Sequence, residues 1–275
     1  MKDFSTTYSI AIIGFSLLLY SFLLYDNKEK DTVYTFAIYP QYRSQQLYET
    51  WQPILKRLSE ETGLKFKLTG NSSAINFEGA LYNGDYDFAY VNFYHAAKAG
   101  NKDNYKAILN DPNEEIQGIL VVKKGKIKAV SQLKNQKIAF PSPNTLAASI
   151  ILRQELSSQL NARLKPIYLA TSSDVYTQIH NEDILGGGGT KRTFDQLHPS
   201  LKANLIILHT TKSVPAHPIV AHSKVSKLVK DKVIQAFLKM SKNPKDQILL
   251  SKAYLENVNT VQQKVYDKLL GNGDF

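Results

Sequence analysis

Ser142, Asn144 and Thr145 close the run Lys137-Ile-Ala-Phe-Pro-Ser-Pro-Asn-Thr145, directly ahead of an apolar-periodic stretch from Leu146 to Leu156. A buried-strand pattern thus delivers two hydroxyls and an amide to a helix start. Unpartnered backbone N–H groups and the positive end of the helix dipole meet at such a corner, which makes it a natural anion site. An ordinary capping loop uses the same residue types. Thr171-Ser172-Ser173-Asp174 repeats the arrangement before another helical stretch, where Ser173 or Asp174 equally suits an N-cap.

Four further segments add polar groups. Tyr39-Pro-Gln-Tyr42-Arg-Ser44 offers two phenols, an amide, a guanidinium and a hydroxyl after a strand pattern, and Ala89-Tyr-Val-Asn92-Phe-Tyr94-His95 leaves another strand with Asn92, Tyr94 and His95 near its end. His217 lies in the stiff Val214-Pro-Ala-His-Pro218 and reads as either a ligand contact or a structural histidine. Gly186-Gly-Gly-Gly-Thr-Lys-Arg-Thr193 is not a phosphate loop, because Thr190 separates the last glycine from Lys191. It reads as a turn of close backbone approach, with Lys191 and Arg192 as anion contacts. Catalytic signatures are missing. The histidines show no metal-ligand spacing and no Gly-x-Ser-x-Gly elbow occurs, so no enzyme activity and no cofactor are expected.

The elements that would position these loops follow from periodicity. Thr32 to Tyr39 alternates as a strand; Leu47, Trp51, Ile54, Leu55 and Leu58 recur at helical spacing, with Gly63 as the stop. Leu64 to Thr69, Ala74 to Tyr82 and Asp87 to Val91 complete a βαβαβ unit. The pattern restarts after Gly118 with strand Ile119 to Val122, a helical turn Val130 to Leu133, strand Lys137 to Phe140 and helix Leu146 to Leu160. Strand Pro166 to Leu169, helix Asp174 to His180 and strand Leu205 to Leu208 follow, and the remainder from Val225 is helical. Two such units in tandem predict two α/β lobes with a cleft between them, where the loops after Tyr39, Tyr90, Phe140 and Leu169 gather.

Residues 4–25 carry no charge and, as a helix, span about 33 Å at ~1.5 Å per residue, enough for a bilayer. They lack small residues of a cleavage site, which favours an uncleaved anchor. With no cysteine, lipoprotein anchoring, disulfides and thiolate metal sites are excluded. The net charge of +10 lies wholly beyond residue 30, since Lys2, Lys28 and Lys30 are cancelled by Asp3, Asp26 and Glu29. Such a balance suits an anionic ligand. The lysines are scattered and do not interleave with the tyrosines, so nucleic acid is not the expected partner.

Taken in order, Phe36-Ala-Ile-Tyr-Pro-Gln, Trp51-Gln-Pro-Ile-Leu, Leu81-Tyr-Asn-Gly-Asp-Tyr-Asp-Phe-Ala-Tyr90, Ile138-Ala-Phe-Pro-Ser-Pro-Asn-Thr145, Thr171-Ser-Ser-Asp-Val-Tyr176, Gly186 to Asp195 and His217-Pro-Ile-Val-Ala-His222 resemble the phosphonate/phosphite-binding receptors of ABC transporters, within the type II periplasmic-binding-protein fold. The resemblance implies two lobes joined by two crossing strands, at Gly118 to Val122 and Pro218 to His222. It covers Thr35 to about Met240 and sets residues 31–118 with 219–275 as one lobe and residues 119–218 as the other, with residues 1–30 left as the anchor or uncleaved signal segment that the apolar run suggests.

The family's Ser-Thr-Ser cradle falls on Asn144, Thr145 and Leu146, its helix-leading histidine near Ser172 or Ser173, and its amine-reading carboxylates on Arg192 and His217. Family tyrosines that touch the ligand fall on Ala74 and Ile116. The candidate ligand set is therefore Tyr39, Tyr42, Asn92, Tyr94, Ser142, Asn144, Thr145, Ser172, Ser173, Arg192 and His217. Loss of the amine-reading acids favours a purely anionic ligand such as phosphate, phosphite or an alkyl phosphonate. The resemblance implies a monomeric receptor in the periplasm or outside the cell, held at the inner membrane and working with a permease. The alternatives are an anchored sensor of a kinase or cyclase partner and, less favoured, an enzyme on the same fold.

Overall fold

The computed structural model describes residues 31–70, 73–100 and 104–271. The expected anchor at residues 4–25 lies outside them; among the described residues no helix is long and apolar enough to cross a membrane.

Two sheets form, each with helices on both faces. In the first, the aromatic and β-branched run of β1 (Val33–Ile38) pairs in parallel with β2 (Lys65–Thr69) and β3 (Phe88–Tyr90). The helix between β1 and β2, α1 (Ser44–Thr62), buries Trp51, Ile54, Leu55 and Leu58 on that sheet and stops at Gly63, whose φ of 69° lets its N–H return to Ser59 O. On the opposite face lie α2 (Ala74–Asn83) and α3 (Phe93–Gly100). β4 (Tyr105–Asn110) ends this first pass.

The chain then crosses through residues 111–114 and enters the second sheet as β5 (Glu115–Lys123), upstream of the expected lobe boundary at 118/119. A 3-10 turn at Val130–Leu133 leads to β6 (Lys137–Phe140), then a π-helical turn at Leu146–Ile151 that continues as α4 (Leu152–Leu160). β7 (Lys165–Tyr168), α5 (Ser172–His180), β8 (Gly186–Thr190), α6 (Lys191–Asp195), α7 (Pro199–Lys202) and β9 (Leu205–Pro215) complete the lobe, in the strand order β7-β6-β8-β5-β9.

After residues 216–218 the chain returns. β10 (Ile219–His222) inserts antiparallel between β3 and β4 in the first sheet. α8 (Lys227–Met240), α9 (Pro244–Ser251), the short β11 (Asn259–Thr260) and α10 (Lys264–Gly271) close the chain.

Three local expectations are corrected. The Gly186 to Gly189 run is not a turn but the buried heart of β8, and its glycines are there for space. A Cβ on Gly187 would meet Val175 and one on Gly189 the Tyr176 ring, while on the other face one on Gly188 would overlap the Ala148 carbonyl and lie 2.7 Å from Phe140 Cδ1. The Leu146 to Leu160 helix opens as a π turn, with the N–H groups of Ser149 and Ile150 both bonded to Thr145 O at 3.0 and 3.1 Å. That wider turn brings the Ala147 and Ala148 carbonyls onto the bare backbone of Gly118 and Gly188. Lastly, the strand expected at Leu205 to Leu208 runs on to Pro215, pairing along β5 from Lys123 back to Glu115.

Candidate functional site

The lobes meet at the polar corner singled out in the sequence. β6 ends at Phe140 in the second sheet, and Pro141 to Asn144 carry the chain to the π turn, with Thr145 in extended conformation as its N-cap. Ser142 Oγ accepts from Asn144 N at 3.2 Å, which fixes the loop. The N–H groups of the first turn have no intrahelical acceptor and converge with the positive dipole end. Leu146, whose type breaks the expected cradle, is 3 % exposed and packs in one apolar cluster with Phe77, Phe93, Ile116 and Val214 from both lobes. It contributes lobe packing and lines one edge of the interface.

The first lobe answers with Tyr39 and Asn92, both at strand ends. Tyr39 Oη and Thr145 Oγ1 share a hydrogen bond of 2.6 Å across the interface. Burial pushes the Tyr39 phenol up to about 12, against the Thr145 bond and with the help of the Glu78 carboxylate, so it stays a neutral donor or acceptor. Asn92 Oδ1 accepts from His95 N at 3.0 Å and caps α3, leaving its buried Nδ2 without a hydrogen-bond partner. Behind them, Asn144 Nδ2 donates to Glu78 Oε2 at 2.7 Å, again between lobes. His95 Nε2 lies 3.0 Å from Glu78 Oε1. Burial raises the Glu78 carboxyl, but His95, Asn144 and Lys98 together outweigh it and hold it below the usual carboxylate range. Burial keeps His95 a neutral imidazole, partly opposed by Glu78.

Ser172, Thr190, Thr193 and His217 complete the walls. Thr171, not Ser173 or Asp174, caps α5, and its hydroxyl exchanges hydrogen bonds with Asp174 in a capping box. That leaves Ser172, 3 % exposed, facing the cleft. Thr190 and Thr193 form the equivalent box on α6. His217, in the return crossing, lines two small cavities of the interface, one with Asn92, Thr145 and the first π turn, the other with Tyr39, Thr145, Ser172 and Thr193. Its Nδ1 has no hydrogen-bond partner. Burial, then the neighbouring Arg192 cation and His95, hold its pKa well below the ordinary histidine value, so the ring is neutral. Each cavity has room for about one water molecule. The lobes are closed on each other, and the donors face inward.

Four expected contacts lie elsewhere. Arg192 is 7 % exposed, yet its guanidinium is committed: Nη2 to Glu114 at 2.9 Å, Nη1 to Tyr90 Oη at 3.3 Å, and the Tyr254 ring 3.7 Å from Cζ. Its charge is neutralised beside the cleft instead of being offered to it. Tyr42 and Ser173 line a separate, wider groove at the cleft mouth with Arg43, Gln46, Gln196 and His198. Tyr94 packs against His95 and Lys98. Glu78, Thr190 and Thr193 were missed, and His95, read beside Asn92 and Tyr94, was left out of the ligand set. Glu78 shares the 74, 77, 78, 81 face of α2 with apolar residues, and a lone acid on such a face was a readable signal. Thr190 and Thr193 were hidden by treating the glycine run as a turn. Among the described residues no cluster of His, Asp and Glu could hold a metal ion.

Comparison with known proteins agrees with this architecture. No curated protein matches the chain in sequence. Among solved structures, it resembles a binding-protein component of an ABC phosphonate transporter from Pseudomonas aeruginosa, with 16 % identity and a TM-score of 0.80 over 86 % of this chain and 84 % of that one. A Prochlorococcus marinus protein solved with methylphosphonate gives 15 % identity and a TM-score of 0.77, over 88 % and 97 %. A Xanthomonas citri protein solved with ATP gives 15 % and 0.67, over 89 % and 97 %. At these identities the likeness establishes the two-lobed periplasmic-binding-protein fold. Residues 36–266 match the family described as ABC transporter, phosphonate, periplasmic substrate-binding protein. The chain therefore belongs to the periplasmic substrate-binding proteins of phosphonate ABC transporters.

Proposed function

We propose that the cleft binds a small phosphorus oxyanion, namely phosphate, phosphite or an alkyl phosphonate, and hands it to a membrane permease. The observation that carries this reading is the convergence, at one buried helix start, of the Thr145 hydroxyl and first-turn amides with Ser142, Asn144, Tyr39, Ser172, Asn92 Nδ2 and His217, the last two holding unpartnered buried nitrogens. With Arg192 already paired, the ligand's charge would be met by neutral donors and the helix dipole, an arrangement that needs no free cation. The Prochlorococcus marinus relative's methylphosphonate belongs to the same ligand class. Residues 4–25 would tether a monomeric domain to the inner membrane from the periplasmic side, with no catalytic role.

Mass action makes a ligand of the folded state raise its melting temperature. The protein in detergent is expected to show a shift with methylphosphonate, phosphite or phosphate that Thr145→Val abolishes. No shift with any of them, or an unchanged shift in the variant, would place the site elsewhere.

A further inference from the structure

Residues 115–215, which make up the second lobe, hold thirteen basic against six acidic side chains, and most of the excess sits at one end. β6 and β7 run in parallel with their carboxyl ends toward the cleft, so their first residues mark the opposite pole of the lobe. There the run from Lys123 to Lys137 carries six lysines and no acid, and Arg163 and Lys165 stand beside it at the start of β7. Lys137 and Lys165 are register partners on adjacent strands, a like-charge pair that costs stability. Glu182, from the loop between α5 and β8, neutralises Lys123 and Lys126 at 2.6 and 2.8 Å, and Asp183 is the other acid of that loop. Among the described residues, Lys124, Lys128, Lys134, Lys137, Arg163 and Lys165 are exposed and make no ion pair.

The charge at this pole is of one sign and nearly all lysine. Protein–protein interfaces are depleted in lysine, and single-stranded nucleic acids are held by stacking aromatics, whereas clusters of about four to eight basic residues suit the smeared negative field of anionic lipids. Leu185, 40 % exposed, precedes the start of β8 at the same end and offers an apolar side chain to a headgroup layer. A bilayer is also within reach. Seven residues separate the apolar run at 4–25 from β1, and they extend at most about 25 Å at ~3.3–3.6 Å per residue. β1 begins at the far pole of the first lobe, so a domain tethered there brings both poles to the bilayer only by lying along it. We infer that the basic pole of the second lobe is a docking surface for anionic lipid headgroups, and that on such a bilayer the domain lies along the surface instead of standing away from it. Counterions screen the attraction, which makes it salt-dependent. The inference does not depend on which ligand fills the cleft.

The chain has no cysteine, so a single fluorophore can be placed on Gln136→Cys, an exposed position between Lys134 and Lys137. The full-length labelled protein is combined with vesicles of phosphatidylcholine alone, or with about 30 % phosphatidylglycerol, each carrying a headgroup-quencher lipid. Quenching reads the distance of the pole from the lipid, whether residues 4–25 insert or the protein meets the vesicles from solution. Quenching is expected to be at least about threefold greater with the anionic lipid at low salt and to fall to the phosphatidylcholine value at about 0.5 M salt. The triple reversal Lys134→Glu, Lys137→Glu and Lys165→Glu is expected to remove the difference. Lys242→Glu, Lys245→Glu and Lys252→Glu change the net charge equally on exposed lysines of the first lobe and are expected to leave it in place. Equal quenching in the two vesicles overturns the assignment and leaves an acidic protein as the partner that such a charge fits. A difference that survives the first triple reversal, or falls equally with the second, overturns it as well. Should the first triple reversal not fold, the wild-type lipid and salt series decides alone.

Discussion

Gly188→Ala tests how the cradle is positioned. The added Cβ would overlap the Ala148 carbonyl oxygen, and it would stand 2.7 Å from Phe140 Cδ1 and 3.1 Å from Leu152 Cδ2. The first of these is backbone and cannot rotate away, so the π turn and β8 must separate by roughly 1 Å to reach ordinary contact distances of ~3.5–4.0 Å. Overpacking of this kind costs about 2–3 kcal/mol, or roughly 4–12 °C in melting temperature for a domain of this size. Function should suffer as well. A displacement of roughly 1 Å takes at least one charge-assisted hydrogen bond out of range, a loss of about 1.5–3 kcal/mol and roughly ten- to hundredfold in affinity. The control is Gly79→Ala on the exposed side of α2, where no atom lies within 4 Å of the new Cβ. There the same substitution should stabilise by about 0.5–1 kcal/mol. Thermal melts and calorimetric titration with methylphosphonate measure both effects. A Gly188→Ala protein that melts within about 1 °C of wild type and binds as tightly would refute the claim that bare strand backbone seats the cradle.

Acid should destabilise the fold through its buried imidazoles. His217 and His95 are held below the ordinary histidine value in the folded state while the unfolded chain protonates near pH 6.5, so the unfolded state binds more protons and stability falls as pH drops below that point, by up to about 1.4 kcal/mol per pH unit for each ring. Urea melts at pH 7.5 and 5.5 check this, and His217→Gln should lessen the slope; equal stability at both values would contradict it. Glu114→Gln should cost about 1–2 kcal/mol, because it strands the buried Arg192 guanidinium, with Glu114's 35 % exposure screening the pair below the loss expected for a fully buried one. A melt unchanged by that substitution would mean that Tyr90 and Tyr254 suffice.

The two-lobed architecture was legible because its signals are local. Alternating strands, the 47, 51, 54, 55, 58 spacing and the Gly63 stop each appear where periodicity places them. The corner at Ser142 to Thr145 was legible for the same reason, since a cap announces itself in three or four residues. What failed was whatever depends on a distant partner. Gly186 to Gly189 carries no side chain to show a period, and only the crowding of Tyr176, Val175 and Ala148 explains why a strand there is built of glycine. Arg192 read as an anion contact because its neutralising partners, Glu114 and Tyr254, lie 78 residues before it and 62 after it. Glu78 drew no reading at all, because its partner Asn144 is 66 residues away, on the other lobe.

The return of the chain as β10 has a consequence for synthesis. Because this strand lies between β3 and β4, and β11 pairs with the other edge of β4, the first sheet cannot be completed until residue 260 has been made, whereas β5 to β9 form one uninterrupted stretch. During vectorial emergence the second lobe can therefore mature while the first still exposes two unpaired strand edges, the kind of surface that templates aggregation. A nascent chain stopped after Pro215 would hold the later lobe finished and the earlier one open. This order of assembly leaves the N-terminal half dependent on its C-terminal strand for solubility.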